Sequence, residues 1–123
     1  GTLAKFMKAR MYHNPRCSKS RQTKTLLEKR GVDLEIVEYL LNPPTKKELD
    51  DVCRKLGVEP QEIMRTKEKR FAELGLSRKD QRKRSDWLTL MADNPILIER
   101  PIVICGRKAA VGRPPENILE ILR

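Results

Sequence analysis

Aromatic side chains are scarce in this chain: two Phe, two Tyr and one Trp, 4% of 123 residues. Single-stranded nucleic acids are held largely by stacking bases on such rings, so the formal net charge of +10 does not by itself point to a nucleic-acid binder. The densest basic run, SRKDQRKR at residues 77–84, has no aromatic residue interleaved and reads as a solvated face. Histidine is nearly absent, with His13 the only one, and the three cysteines, Cys17, Cys53 and Cys105, are far apart. The paired ligand spacing of a structural zinc site is therefore missing, and no metal is expected. No apolar run approaches the roughly 20 residues needed to cross a bilayer, and the N-terminal residues lack the apolar core of a signal peptide. These absences predict a cytoplasmic protein with reduced thiols and no membrane partner. Met7 follows a GTLAKF stretch that reads as partly an expression scar.

What is present is enough aliphatic material for one core, 38% hydrophobic residues, arranged in a recognisable order. Residues 4–12 alternate as a strand that ends at the turn-forming Asn14 and Pro15. A helix follows from about Ser18, with Thr23, Leu26 and Leu27 on one face and Gly31 as its stop, and then LEIVEYL, residues 34–40, forms a second strand. Strand, helix, strand in that order predicts a parallel βαβ unit. After the NPP of residues 42–44 the period changes. Thr45 and Glu48 form a capping box, and Leu49, Val52, Cys53 and Leu56 make the apolar stripe of a helix closed by Gly57. Helical pieces continue through residues 60–65, 69–74 and 85–94, where Pro95 ends them. Residues 100–105 read as a buried strand, a tight turn at 106–108 makes a hairpin with 109–113, and residues 114–122 form a last helix offering Ile118, Leu119, Ile121 and Leu122 for burial. The chain is thus expected to be one domain with an α/β core over about 5–42 and 96–123 and a helical insertion over about 43–95.

The chemistry centres on YHNPRCSKSR, residues 12–21, which puts Cys17 at the opening turn of the first helix. Unsatisfied N–H groups and the positive end of the helix dipole favour thiolate over thiol there, and Arg16, Lys19 and Arg21 act in the same direction. The same N–H groups would hold an incoming oxyanion against the sulfur. The bland alternative, a small buried hydrophobe, fits poorly with such polar and basic neighbours. Position 20, where a dithiol motif carries its second cysteine, is Ser20, while Cys53 lies on an apolar stripe and Cys105 ends an apolar strand. The resolving thiol is therefore expected from an external partner such as glutathione.

Taken in order, YHNPRCSKSR, YLLNPP, IMR, ELGL, NPILIERPIVI and VGRPPE resemble the successive motifs of the glutaredoxin-coupled arsenate reductase family, from Tyr12 to Leu122. The resemblance implies a thioredoxin-like mixed sheet with an inserted helical subdomain. It implies Cys17 as nucleophile, His13 and Ser20 as its catalytic neighbours, and Arg65, Arg100, Arg113 and Asn14 as oxyanion-binding residues. Pro101 would be the cis-proline of that fold. Arsenate would be reduced with glutathione as reductant, glutaredoxin would resolve the mixed disulfide, and no cofactor would be tightly bound. Planar guanidinium groups suit such a substrate because they bind tetrahedral oxyanions bidentately and stay charged. The rival reading from another class is a redox adaptor or transcription regulator of the same fold. Such proteins typically carry a Cys-x-x-Cys switch, which Ser20 interrupts here.

Overall fold

The computed structural model describes residues 7–123, so the start of the expected first strand, at residues 4–6, and the GTLAKF stretch lie outside the described residues. Two compact units make up the chain: one runs to Asn42 and resumes at Arg100–Arg123, and the other is Pro43–Glu99.

In the first unit, β1 (Lys8–His13) alternates exposed and buried positions and then buries Met11, Tyr12 and His13 in succession. That change of pattern marks a central strand whose end is covered on both faces. Helix α1 (Ser18–Lys29) carries the chain back, so that β2 (Asp33–Glu38) pairs with β1 in parallel, Lys8 opposite Asp33 through His13 opposite Glu38. On the other side β3 (Ile102–Cys105) runs antiparallel to β1, and β4 (Lys108–Val111) runs antiparallel to β3. The sheet is mixed, four-stranded and ordered β2-β1-β3-β4. The β3–β4 turn needs Gly106, whose φ of +61° favours a residue without Cβ. Met11, Leu27, Val103 and Ile118 are fully buried and pack with Ala9, Val32 and Ile121 as the core of this unit.

Two elements differ from the sequence reading. Strand β2 stops at Glu38, because the Leu41 and Asn42 N–H groups turn back onto the Glu38 carbonyl at 3.0 and 2.9 Å; Leu40 and Leu41 leave the sheet and face solvent. The C-terminal segment Pro115–Leu122 winds as a 3₁₀ helix instead of an α-helix. It buries Pro115, Ile118, Ile121 and Leu122, the first three at every third position, the spacing at which a 3₁₀ helix presents one face.

The second unit is mainly helical. Thr45 accepts from the Glu48 N–H while Glu48 returns to the Thr45 N–H, capping α2 (Lys46–Leu56), and Gly57 ends it at φ +70°. Helix α2, which buries Leu49, Val52 and Cys53, packs on α4 (Arg84–Asp93), which buries Trp87, Leu88 and Met91, with α3 (Lys69–Glu73) and 3₁₀ turns at Pro60–Ile63 and Pro95–Leu97 between and after them. A single antiparallel bridge, Met64 to Ile98, closes this unit: Arg65 donates to the Leu97 carbonyl at 2.7 Å and Glu99 to the Ile63 carbonyl at 2.8 Å. Among the described residues no helix is long and apolar enough to cross a membrane.

Gly112 sits where a side chain has no room. A Cβ there would run into the Thr23 hydroxyl and come within 2.8 Å of Pro101 Cγ. Gly112→Ala is expected to destabilise the protein by about 1–3 kcal/mol, the usual range for overpacking, as a lower denaturant midpoint with an unchanged slope.

Candidate functional site

Cys17 is the N-cap residue of α1, in extended conformation (φ −94°, ψ 124°) and without a side-chain cap bond to the helix. Its carbonyl takes the first helical bond from the Arg21 N–H at 3.0 Å, and its own N–H closes a turn onto the Asn14 carbonyl at 3.0 Å. The loop before it is pinned from within. Asn14 Oδ1 accepts the Arg16 N–H at 3.0 Å, the buried Ser20 hydroxyl accepts the Asn14 N–H at 3.3 Å, and Arg21 donates to the Pro15 carbonyl at 2.9 Å. With no acidic residue in the first turn of α1, nothing there competes with an anion for the helix N-terminus.

Burial by itself pushes the Cys17 thiol upward. The Ser20 N–H, the Arg100 guanidinium and the Lys19 N–H outweigh it and bring the thiol down from an ordinary 9.0 to about 7. Arg113 adds a second guanidinium, its Nη1 lying 3.7 Å from Cys17 Sγ while also donating to the Arg100 carbonyl at 3.1 Å. The first unit therefore assembles a partly exposed sulfur of lowered pKa with two arginines beside it. The Arg100–Pro101 bond that sets Arg100 is cis, and Arg113–Pro114, which sequence reasoning did not anticipate, is cis as well.

The remaining predicted residues have distinct places. His13 ends β1, is buried, and is pushed below its ordinary value by desolvation and then by Lys24, with Glu38 opposing. Ser20 faces the sulfur with its backbone N–H, while its hydroxyl is used to close the Asn14 loop. Arg65 belongs to the second unit, where Glu68 meets its Nε at 2.9 Å and Glu99 its Nη1 at 2.8 Å. These two carboxylates were missed in the sequence. Glu68 was findable from its spacing of three residues after Arg65, but Glu99 comes to it only through the Met64–Ile98 bridge. Cys53 is fully buried and burial raises its thiol to about 11, so it is inert.

The sequence pattern of the ArsC family matches residues 12–121. The chain belongs to the ArsC family. It is 47% identical over 114 residues to an arsenate reductase of Neisseria meningitidis serogroup A, covering 92% of this chain and 97% of that one. It is 46% identical over 114 residues to the uncharacterized protein YfgD of Escherichia coli K12, covering 92% and 95%. Among solved structures, an arsenate reductase from Vibrio cholerae superposes with a TM-score of 0.89 at 44% identity, covering 94% of this chain and 98% of the other. The four-stranded mixed sheet and its helices are thus an ArsC fold, thioredoxin-like with an inserted helical unit.

Two measurements test this electrostatic account of the ArsC chain. The rate of Cys17 alkylation by iodoacetamide is expected to rise with pH through a midpoint near 7, and Arg100→Ala to move that midpoint upward, while Cys53 stays unreacted until the protein unfolds. For His13, the fold holds the ring neutral and depresses its pKa, so the unfolded chain takes up a proton that the folded chain refuses. Folding free energy is then full above the ordinary value of 6.5 and falls as pH drops below it, and His13→Gln is expected to flatten that part of the stability profile.

Proposed function

We propose that this ArsC-family chain is an arsenate reductase that uses Cys17 as nucleophile and a thiol such as glutathione as reductant. The observation that carries the reading is Cys17 itself, a thiol at about 7 on a helix N-terminus with Arg100 and Arg113 as donors. Near neutral pH about half of it is thiolate, so the nucleophile needs no separate base.

The reaction balances without any tightly bound cofactor. The Cys17 thiol attacks dihydrogen arsenate, an S–As bond forms, and one arsenate oxygen leaves as water with the thiol proton and an arsenate proton. Arg100 and Arg113 stabilise charge on the remaining oxygens as the bond forms, and Lys19 and Ser20 N–H groups aim at the same place. A thiol RSH then attacks Cys17 Sγ. The S–S bond forms, the S–As electron pair stays on arsenic, which goes from As(V) to As(III), and the thiol proton goes to an arsenite oxygen. A second RSH releases Cys17 as thiol and leaves RSSR, the step assigned to glutaredoxin with glutathione. A cytoplasmic setting, where such thiols are kept reduced, belongs to this reading.

From its place in the IMR motif, Arg65 is assigned to oxyanion binding, with Glu68 and Glu99 tuning it. An oxyanion that engages Arg65 does so against two carboxylates already within 2.9 Å of the guanidinium. Arg65→Ala is expected to raise the KM for arsenate by tenfold or more, the scale of one lost charge-assisted hydrogen bond, and Glu99→Gln to lower it.

The deciding experiment is arsenate-dependent NADPH oxidation with glutathione, glutathione reductase and glutaredoxin, run for wild type and Cys17→Ser together. Turnover that disappears in Cys17→Ser is expected. A folded wild type with no arsenate-dependent turnover would overturn the reading.

A further inference from the structure

The loop that ends in Cys17 borders a cavity of about 400 Å³ whose Arg16, Glu38, Leu40 and Leu41 have no role in the scheme above. Its walls come from the first unit alone: His13, Asn14, Pro15 and Arg16 from the loop side, and Glu38, Leu40 and Leu41 from the end of β2 and the turn after it. Leu40 and Leu41 are 43% and 74% exposed, two of the three exposed large hydrophobics among the described residues.

Three features of the walls ask for a ligand. Arg16 and Glu38, both exposed, form no ion pair among the described residues, so the cavity carries one unanswered positive and one unanswered negative charge. His13 is only 6% exposed, yet its Nδ1 has no hydrogen-bond partner among the described residues. A buried ring nitrogen left without a partner is destabilising, and a ligand that reaches it removes that penalty. Charges of both signs, an unpaired buried nitrogen and an apolar wall match a small zwitterion that also carries amide and aliphatic groups. An uncharged dithiol would leave both charges unanswered.

Resting on the arsenate reductase reading, we propose that this cavity is the binding site of the reducing thiol, a small zwitterionic thiol peptide. Its carboxylate meets Arg16, its ammonium meets Glu38, its aliphatic stem lies on Leu40 and Leu41, and an amide group pairs with His13 Nδ1. Cys17 follows Arg16 in the chain but does not itself line the cavity, so the sulfur of a peptide held here must extend from the cavity mouth to Cys17 Sγ. In that step the peptide S–Cys17 S bond forms as the S–As bond breaks, two electrons pass from the two sulfurs to arsenic, and the peptide's thiol proton goes to an arsenite oxygen.

The test uses the full chain and S-methylglutathione, which keeps the ammonium and both carboxylates of glutathione and has no free thiol to react. Calorimetry is expected to show saturable binding, weakened at least tenfold in Arg16→Gln and in Glu38→Gln, and NMR is expected to show shifts at the Leu40 and Leu41 methyls. Both residues are exposed, and circular dichroism verifies that the variants fold. In turnover assays the ratio of glutathione-supported to dithiothreitol-supported kcat/KM is expected to fall about tenfold in each variant. Absence of saturable binding at millimolar concentration, equal binding by wild type and both variants, or an unchanged thiol ratio would overturn the proposal. If binding depends on Arg16 and Glu38 but no thiol supports arsenate turnover, the cavity assignment stands and the arsenate reading falls.

Discussion

A thiolate on Cys17 is the constraint around which the first unit is organised. Taking a sulfur partly out of water disfavours its charge, and here the backbone of α1 and Arg100 reverse that preference. The two kinds of donor differ in how they are held. The Lys19 and Ser20 N–H groups are fixed by helix geometry and need no side-chain ordering, whereas Arg100 and Arg113 come from β3's entrance and the segment after β4. Those two arginines are placed by the sheet: β3 lies beside β1, β4 lies beside β3, and Arg113 is tied to the Arg100 carbonyl. Losing the β1–β3–β4 order would leave the helix N-terminus but remove both guanidinium groups.

The loop from His13 to Cys17 is rigid for a reason unrelated to chemistry at the sulfur. Asn14 and Ser20 spend their polar atoms on closing the loop, which holds Cys17 at the helix start. A serine where a dithiol protein would have its second cysteine therefore has a structural use, and its buried hydroxyl leaves only its N–H for the sulfur. The loop itself presents one thiol, Cys17. Of the other two cysteines, Cys53 is locked in the core of the second unit as a neutral hydrophobe.

Arg65 illustrates a different use of the same side chain. Held by Glu68 and Glu99, it is kept charged and oriented, at the cost of acceptors that compete with any incoming anion. Arg100 and Arg113 serve a sulfur in the first unit, while Arg65 is framed by carboxylates in the second.

Local physics alone determined much of this protein. The alternating residues of β1, the stripe and stop of α1, the Thr45–Glu48 capping box, the αL Gly57 and the β3–β4 turn at Gly106 all depend on neighbours a few residues apart, so the sequence displays them. The position of Cys17 at a helix N-terminus is of the same kind. Tertiary structure decided what depends on distant partners. Arg113 reaches a sulfur 96 positions away, and Glu99 reaches Arg65 across 34. Which side chains of Pro115–Leu122 are buried depends on its packing against the sheet and α1, and Leu40 and Leu41 are exposed because β2 ends at Glu38, short of the strand expected over residues 34–40. Gly112 is required by Thr23 and Pro101, neither of which is near it in sequence. Periodicity records which face a residue turns to the core; it carries no information about which distant group waits there.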